Sequence, residues 1–232
     1  MFYYYGIDWT YLVLVLPAMI FALIAQSMVQ STFNKYSKTP TKCAMTGYQA
    51  ARMVLDQNGI QDVAIERVSG NLTDHFDPRA KVIRLSDATY ASSSAAAVGV
   101  AAHEAGHAAQ YAAEYAPIKL RTAIIPITNI GSKLTIPLIL LGALFSIQSL
   151  VTIGILFFAL STVFQLVTLP VEFNASKRAM QALRSSGRMD EGELTASRKV
   201  LTAAAMTYVA ALAVSLMQLL RLILLFGRRN RD

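Results

Sequence analysis

Apolar and polar residues alternate along this chain in long blocks rather than in short amphipathic periods. Residues 9–29 carry no charge and are long enough to cross a bilayer, with Tyr3, Tyr4, Tyr5 and Trp9 at the interface end. The residues before them lack a positive signal-peptide region, and no clear cleavage site follows, so a retained anchor is expected. A polar block follows over 31–118. The chain is apolar again from 123 to 170, with a polar break at 146–149, which predicts two spans, about 124–146 and 150–170, joined as a hairpin. The first of these holds Pro126, Asn129, Lys133 and Pro137, as a partly interfacial or cavity-lining segment does. Residues 171–199 are polar and basic. A last apolar stretch, 201–226, carries Arg221 near its end, where it can snorkel, and stops at Arg228, Arg229 and Arg231.

Inside the polar block the period changes. Residues 46–58 predict a helix with Thr46 as its N-cap and Gly59 just beyond its end. Residues 63–68 and 81–85 predict short strands, with a turn-rich segment at 71–79 between them. Ser92–Ser94 precede an Ala-rich stretch over 95–114, a strong helix former. No internal repeats or low-complexity linkers appear.

Composition supports the membrane reading. The chain of 232 residues is 54% hydrophobic and only 15% charged, where globular proteins average roughly 25% charged. The net charge of +7 comes from Lys and Arg residues that cluster beside apolar segments. That distribution suits a bilayer surface; no nucleic-acid signature accompanies it. One cysteine, Cys43, excludes an internal disulfide framework and a multi-cysteine zinc site, and reads as an ordinary small residue.

The candidate chemistry lies in the Ala-rich helix, at His103-Glu104-Ala105-Gly106-His107. Positions i and i+4 share one helical face, so two imidazoles so spaced can bind one Zn²⁺. Glu104, beside the first ligand, is placed to take a proton from a metal-activated water as general base. Two ligands leave a site incomplete, and the third is either His75, the one remaining histidine, or a carboxylate. If the hairpin 124–170 crosses the membrane twice, residue 171 returns to the side of the motif, which favours Glu172. Glu114, two turns beyond His107, is too far along a straight helix. His75 reads either as a turn histidine satisfied by hydrogen bonds or as a cleft residue that stabilises an oxyanion. Asp74 and Asp77 read as turn formers before Pro78. Lys133 reads as interfacial, and Arg178 as pairing with the membrane or with Glu172.

Four pieces in order carry a family resemblance: Asp74-His75-Phe76-Asp77-Pro78; Arg84-Leu85-Ser86; His103 to His107 with Ala108-Ala109-Gln110; and Pro170-Val171-Glu172-Phe173-Asn174-Ala175-Ser176. The chain resembles the YugP-like membrane zinc metallopeptidases, distant relatives of the HtpX-like gluzincins. The resemblance implies a mainly α membrane protein: about four transmembrane helices plus a small α+β zincin-like catalytic domain. It also implies zinc held by His103, His107 and Glu172. In gluzincins the glutamate opens a pattern E-x-x-A-D whose Asp supports a ligand histidine. Ser176 stands at that Asp, so a supporting hydrogen bond is expected without its charge.

The expected organisation is an anchor at 1–30, a catalytic portion at 31–122, a hairpin at 123–170, a second catalytic segment at 171–200, and a last helix with a basic tail at 201–232. The expected activity is endoproteolysis of membrane or membrane-proximal proteins, with Glu104 as base, His75 in the cleft, and the strands near 63–68 and 81–85 offering an edge to extended substrate. Expected partners are peptide substrates and lipid, not nucleic acid. The alternative is a non-proteolytic scaffold with a closed structural zinc site, whose natural fourth ligand is His75. Sixteen of the 21 Lys and Arg residues lie in 31–121 and 171–199, which by the positive-inside rule puts the catalytic side in the cytoplasm of a bacterial cell (inner) membrane. The basic C-terminal tail dissents, since four spans put it outside.

Overall fold

A computed structural model describes residues 8–227; the aromatic residues at 3–5 and the basic tail from 228 lie outside them. The fold is mainly helical, with one small mixed sheet. A π-helical turn, Tyr11–Val15, leads into α1 (Leu16–Tyr36). Then come α2 (Gly47–Gln57), β1 (Ala64–Val68), β2 (His75–Asp77), β3 (Val82–Ser86), the single turn α3 (Asp87–Tyr90) and α4 (Ala95–Ala112). Three long helices complete the chain: α5 (Ala116–Leu144), α6 (Gln148–Ser185) and α7 (Glu191–Phe226). Among the described residues, four helical segments are long and apolar enough to cross a membrane: Tyr11–Tyr36, α5, α6 and α7.

The chain divides into two compact units. The first comprises residues up to Ala25, Leu120–Leu169 and Thr207 onward. Its large apolar side chains face outward; Leu144 is 75% exposed and Leu23 69%. An apolar surface of this extent suits a lipid solvent. Its helices approach closely: a methyl group on Gly154 would lie 2.6 Å from Ile139 Cγ1 and 3.1 Å from the Thr135 carbonyl oxygen. Pro126 and Pro137 are accommodated within α5, and Ser146, in the predicted break, takes φ +57° between α5 and α6.

The second unit comprises Gln26–Lys119 and Pro170–Met206. Its core is built around α4, whose alanines let neighbouring backbones come close. Val54 and Leu55 of α2, Ile83 and Leu85 of β3, Ala102 of α4 and Leu183 of α6 are fully buried together. The expected caps form: Ser94 accepts from Ala97 N–H, and Thr46 makes a reciprocal capping box with Gln49.

The sheet order is β1-β3-β2, with β1 parallel and β2 antiparallel to β3. This refines the sequence picture twice. The turn-rich segment contains a strand, β2, held by carboxylates: Asp77 accepts from the backbone of Arg79 and Ala80, and Asp74 from the backbone and hydroxyl of Ser86. The strand expected near 81–85 is central, so the sheet's edges belong to β1 and β2. Residues 171–199 are also more ordered than their polarity suggests. α6 runs through Pro170 to Ser185, and α7 starts at Glu191 behind a second reciprocal box between Asp190 and Glu193. Glu193 also accepts from Lys42 N–H at 2.6 Å. Cys43 is exposed rather than packed.

Candidate metal centre

The second unit brings His103 and His107 of α4 to Glu172 of α6. The helical rise places both imidazoles on one side of α4, one turn apart, with ring centroids 4.7 Å apart. Gly106 sits between them. A methyl group there would lie 2.6 Å from the Ala175 carbonyl oxygen, so only glycine lets α6 pass this close. Val171 and Ala175, on either side of Glu172, are fully buried against this contact.

Glu172 Oε2 lies 3.4 Å from His103 Nε2 and 3.5 Å from His107 Nε2. One donor atom from each residue falls within 4.8 Å of the others. Two atoms held about 2.0–2.1 Å from one zinc ion at a tetrahedral angle are about 3.3 Å apart, so both contacts of Glu172 fit the ion. The donor types, two imidazole nitrogens and a carboxylate oxygen, fit it too. The side chain of Glu172 is 4% exposed, and those of His103 and His107 are 15% and 12% exposed. A buried carboxylate and two imidazoles are therefore gathered where little water can solvate them.

Each histidine is oriented from behind. His103 Nδ1 lies 3.1 Å from Ser176 Oγ, the hydrogen-bonding contact expected of Ser176. His107 Nδ1 lies 3.0 Å from Gln110 Oε1. Gln110 is fully buried, and its amide donates to the Val171 carbonyl at 2.7 Å and to Asn174 Oδ1 at 3.0 Å. Burial disfavours the charged form of His107, but its contact with Glu172 and the nearby charge of Glu104 outweigh this and hold its pKa above the ordinary imidazole value.

The other candidates fall elsewhere. His75 is on the edge strand β2, exposed, with Nδ1 2.8 Å from the Thr73 carbonyl, and is not one of the three clustered donors. Glu114 lies beyond the end of α4 in a left-handed conformation and pairs with Lys119. Arg178 donates to Asn174 Oδ1 at 2.9 Å. Gln110 and Asn174 belong to no ligand pattern in the sequence. The available signal was a glutamine three residues after a candidate ligand in an otherwise alanine-rich helix.

The comparisons with known proteins agree with this chemistry. Residues 11–227 match the family described as "Putative neutral zinc metallopeptidase". The chain is also similar to "Putative membrane protease YugP" of Bacillus subtilis (strain 168), 44% identical over 216 residues, 93% of this chain and 96% of that protein. No solved structure matches. The chain belongs to this neutral zinc metallopeptidase family.

Proposed function

We propose that this family member is a multi-pass membrane zinc endopeptidase with a zincin-like catalytic portion, in which His103, His107 and Glu172 hold the metal and Glu104 is the general base. The observation that carries this reading is the convergence of three donor atoms within 4.8 Å. Zinc held there supplies a Lewis acid that polarises the scissile carbonyl and lowers the pKa of a water to about 7. Glu104, one residue from the first ligand and half-buried, takes the proton of the attacking water and returns it to the leaving amine. β2 packs beside α4, with Phe76 and Tyr111 ring centroids 5.6 Å apart, and its outer edge, which no strand among the described residues pairs with, takes extended substrate by backbone pairing.

His75 on that edge serves the oxyanion in this reading. Its Nδ1 is held by the Thr73 carbonyl at 2.8 Å, which leaves Nε2 as the ring nitrogen it offers to substrate. A closed structural site needs a fourth protein donor. Among the described residues the cluster has three, and this favours the hydrolase over the scaffold.

Glu104→Gln keeps the size and hydrogen-bonding reach of the side chain and removes its basicity. Zinc content is expected to stay stoichiometric while cleavage of a reporter peptide falls by about 10²–10⁴-fold. Undiminished cleavage with zinc bound overturns the mechanism.

Residues 31–122 and 171–200 form the catalytic portion in this reading. Residues 1–30 form the anchor, 123–170 the hairpin and 201–232 the last helix with its basic tail. The substrates are membrane or membrane-proximal proteins, and the catalytic portion faces the cytoplasm. Single cysteines placed by Asp62→Cys or Asp232→Cys, with the exposed Cys43 replaced by Ser, report the sidedness. An impermeant thiol reagent is expected to spare position 62 in intact cells; labelling there reverses the orientation.

A further inference from the structure

We infer that Arg178, Asn174 and Gln110 form a hydrogen-bond relay that dictates which nitrogen of His107 faces the metal, making them positioning residues for an ion that none of them touches. The inference rests on His107 being a ligand, as proposed above. Two groups with a single possible role, a guanidinium and a backbone carbonyl, fix how the amides between them are turned. A guanidinium only donates, so the atom of Asn174 at 2.9 Å from Arg178 Nε is the acceptor, Oδ1. That oxygen is also 3.0 Å from Gln110, so the facing Gln110 atom is the donor, Nε2. The Val171 carbonyl, which only accepts, makes the same demand on the same atom at 2.7 Å. Gln110 is therefore left with its carbonyl oxygen toward His107, 3.0 Å from Nδ1. An amide oxygen only accepts, so Nδ1 carries the proton and Nε2 keeps its lone pair for the metal.

Burial makes this relay strict. Gln110 is fully buried, and turning its amide over would set its oxygen against two acceptors, the Val171 carbonyl and Asn174 Oδ1, with no water to relieve them. His103 is different. Its partner is the Ser176 hydroxyl at 3.1 Å, which can donate or accept, so that contact orients the ring without dictating its tautomer. The two imidazoles of the H-E-x-x-H helix are thus held to different standards, His107 by a chain of one-way donors and acceptors that ends on a charge, His103 by a single adaptable hydroxyl.

The test uses the detergent-solubilised full chain, with zinc affinity from chelator competition and ¹⁵N-histidine spectra of the zinc-loaded protein. The unaltered chain is expected to show a slowly exchanging Nδ1 proton on His107. Gln110→Met, similar in volume and without the acceptor, is expected to weaken zinc binding by about 10–100-fold and abolish that protected proton. Asn174→Leu and Arg178→Met weaken it less, in that order, because the Val171 carbonyl still orients Gln110. Asn174→Asp, which offers only acceptors, and Arg178→Lys, which offers only donors, stay close to the unaltered chain in both readouts. Should Gln110→Met fail to fold, the contrast between Leu and Asp at half-buried position 174 carries the test. Unchanged affinity in Asn174→Leu, or a weakened affinity with the His107 proton still protected, overturns the relay. Zinc affinity that survives His107→Ala instead overturns the ligand assignment, whatever the relay variants do.

Discussion

The two units satisfy their polar side chains in opposite ways. In the first, hydroxyls turn back onto their own helix: Thr128 donates to the Ile124 carbonyl, Thr135 to Gly131, Thr162 to Phe158 and Thr168 to Phe164. In the second, buried polar groups tie distant segments together. Gln110 reaches Val171 and Asn174, Ser197 donates to the Ala95 carbonyl at 2.7 Å, and Glu193 accepts from Lys42 N–H. The difference follows from solvent. A helix in lipid has no water to satisfy a hydroxyl, and the nearest acceptor is always the carbonyl one turn back. Where water surrounds the fold, polar contacts between elements fix register at modest net gain, and each has a large cost if broken while buried. Exceptions exist in the first unit, where Thr162 also meets Ser215 at 2.7 Å and Arg221 pairs with Asp8 at 2.6 Å.

This contrast can be broken most severely at Gly106. Gly106→Ala puts a methyl 2.6 Å from the Ala175 carbonyl, and backbone rather than a flexible side chain must yield. The expected cost is about 1–3 kcal/mol of stability. Zinc affinity is expected to fall too, since Glu172 rides on the displaced helix; thermal melting and chelator competition on one sample check both. A smaller effect is expected at Ser197→Ala, which keeps the Cβ that packs by Gly99 and leaves the Ala95 carbonyl short of a donor, at about 1 kcal/mol. The smallest is expected in the first unit, at Thr135→Val, within about 0.5 kcal/mol, because its hydroxyl serves only its own helix. Equal losses at Ser197 and Thr135 in a denaturant titration remove the distinction between the units.

The same contrast explains what was legible in the chain. The apolar segments were readable because transfer into lipid sums over neighbouring residues, and α2 and α4 because caps and helix propensity act within one turn. The pairing of His103 with His107 was readable for the same reason. β2 was not, since its three residues, His75–Asp77, are held as a strand by β3 rather than by their own pattern. Nor were the polar parts of α6 and α7, where Ala175, Ala179 and Ala182 of α6 and Ala196 of α7 are buried by neighbours the local pattern does not reveal.

By itself the sequence determined the order of the apolar helices and the helical site of the two imidazoles, and it favoured Glu172, just beyond the second apolar segment of the expected hairpin, as a further donor. Only the tertiary structure decided that Glu172 meets both Nε2 atoms, that Gly106 is the point where α4 and α6 touch, and that Gln110, Asn174 and Arg178 stand in line behind His107. The physical reason is range. Helix formation and transfer from water depend on residues a few positions apart. A contact across some sixty positions, such as Gln110 with Val171 and Asn174, depends on how two surfaces pack, and packing belongs to no single segment.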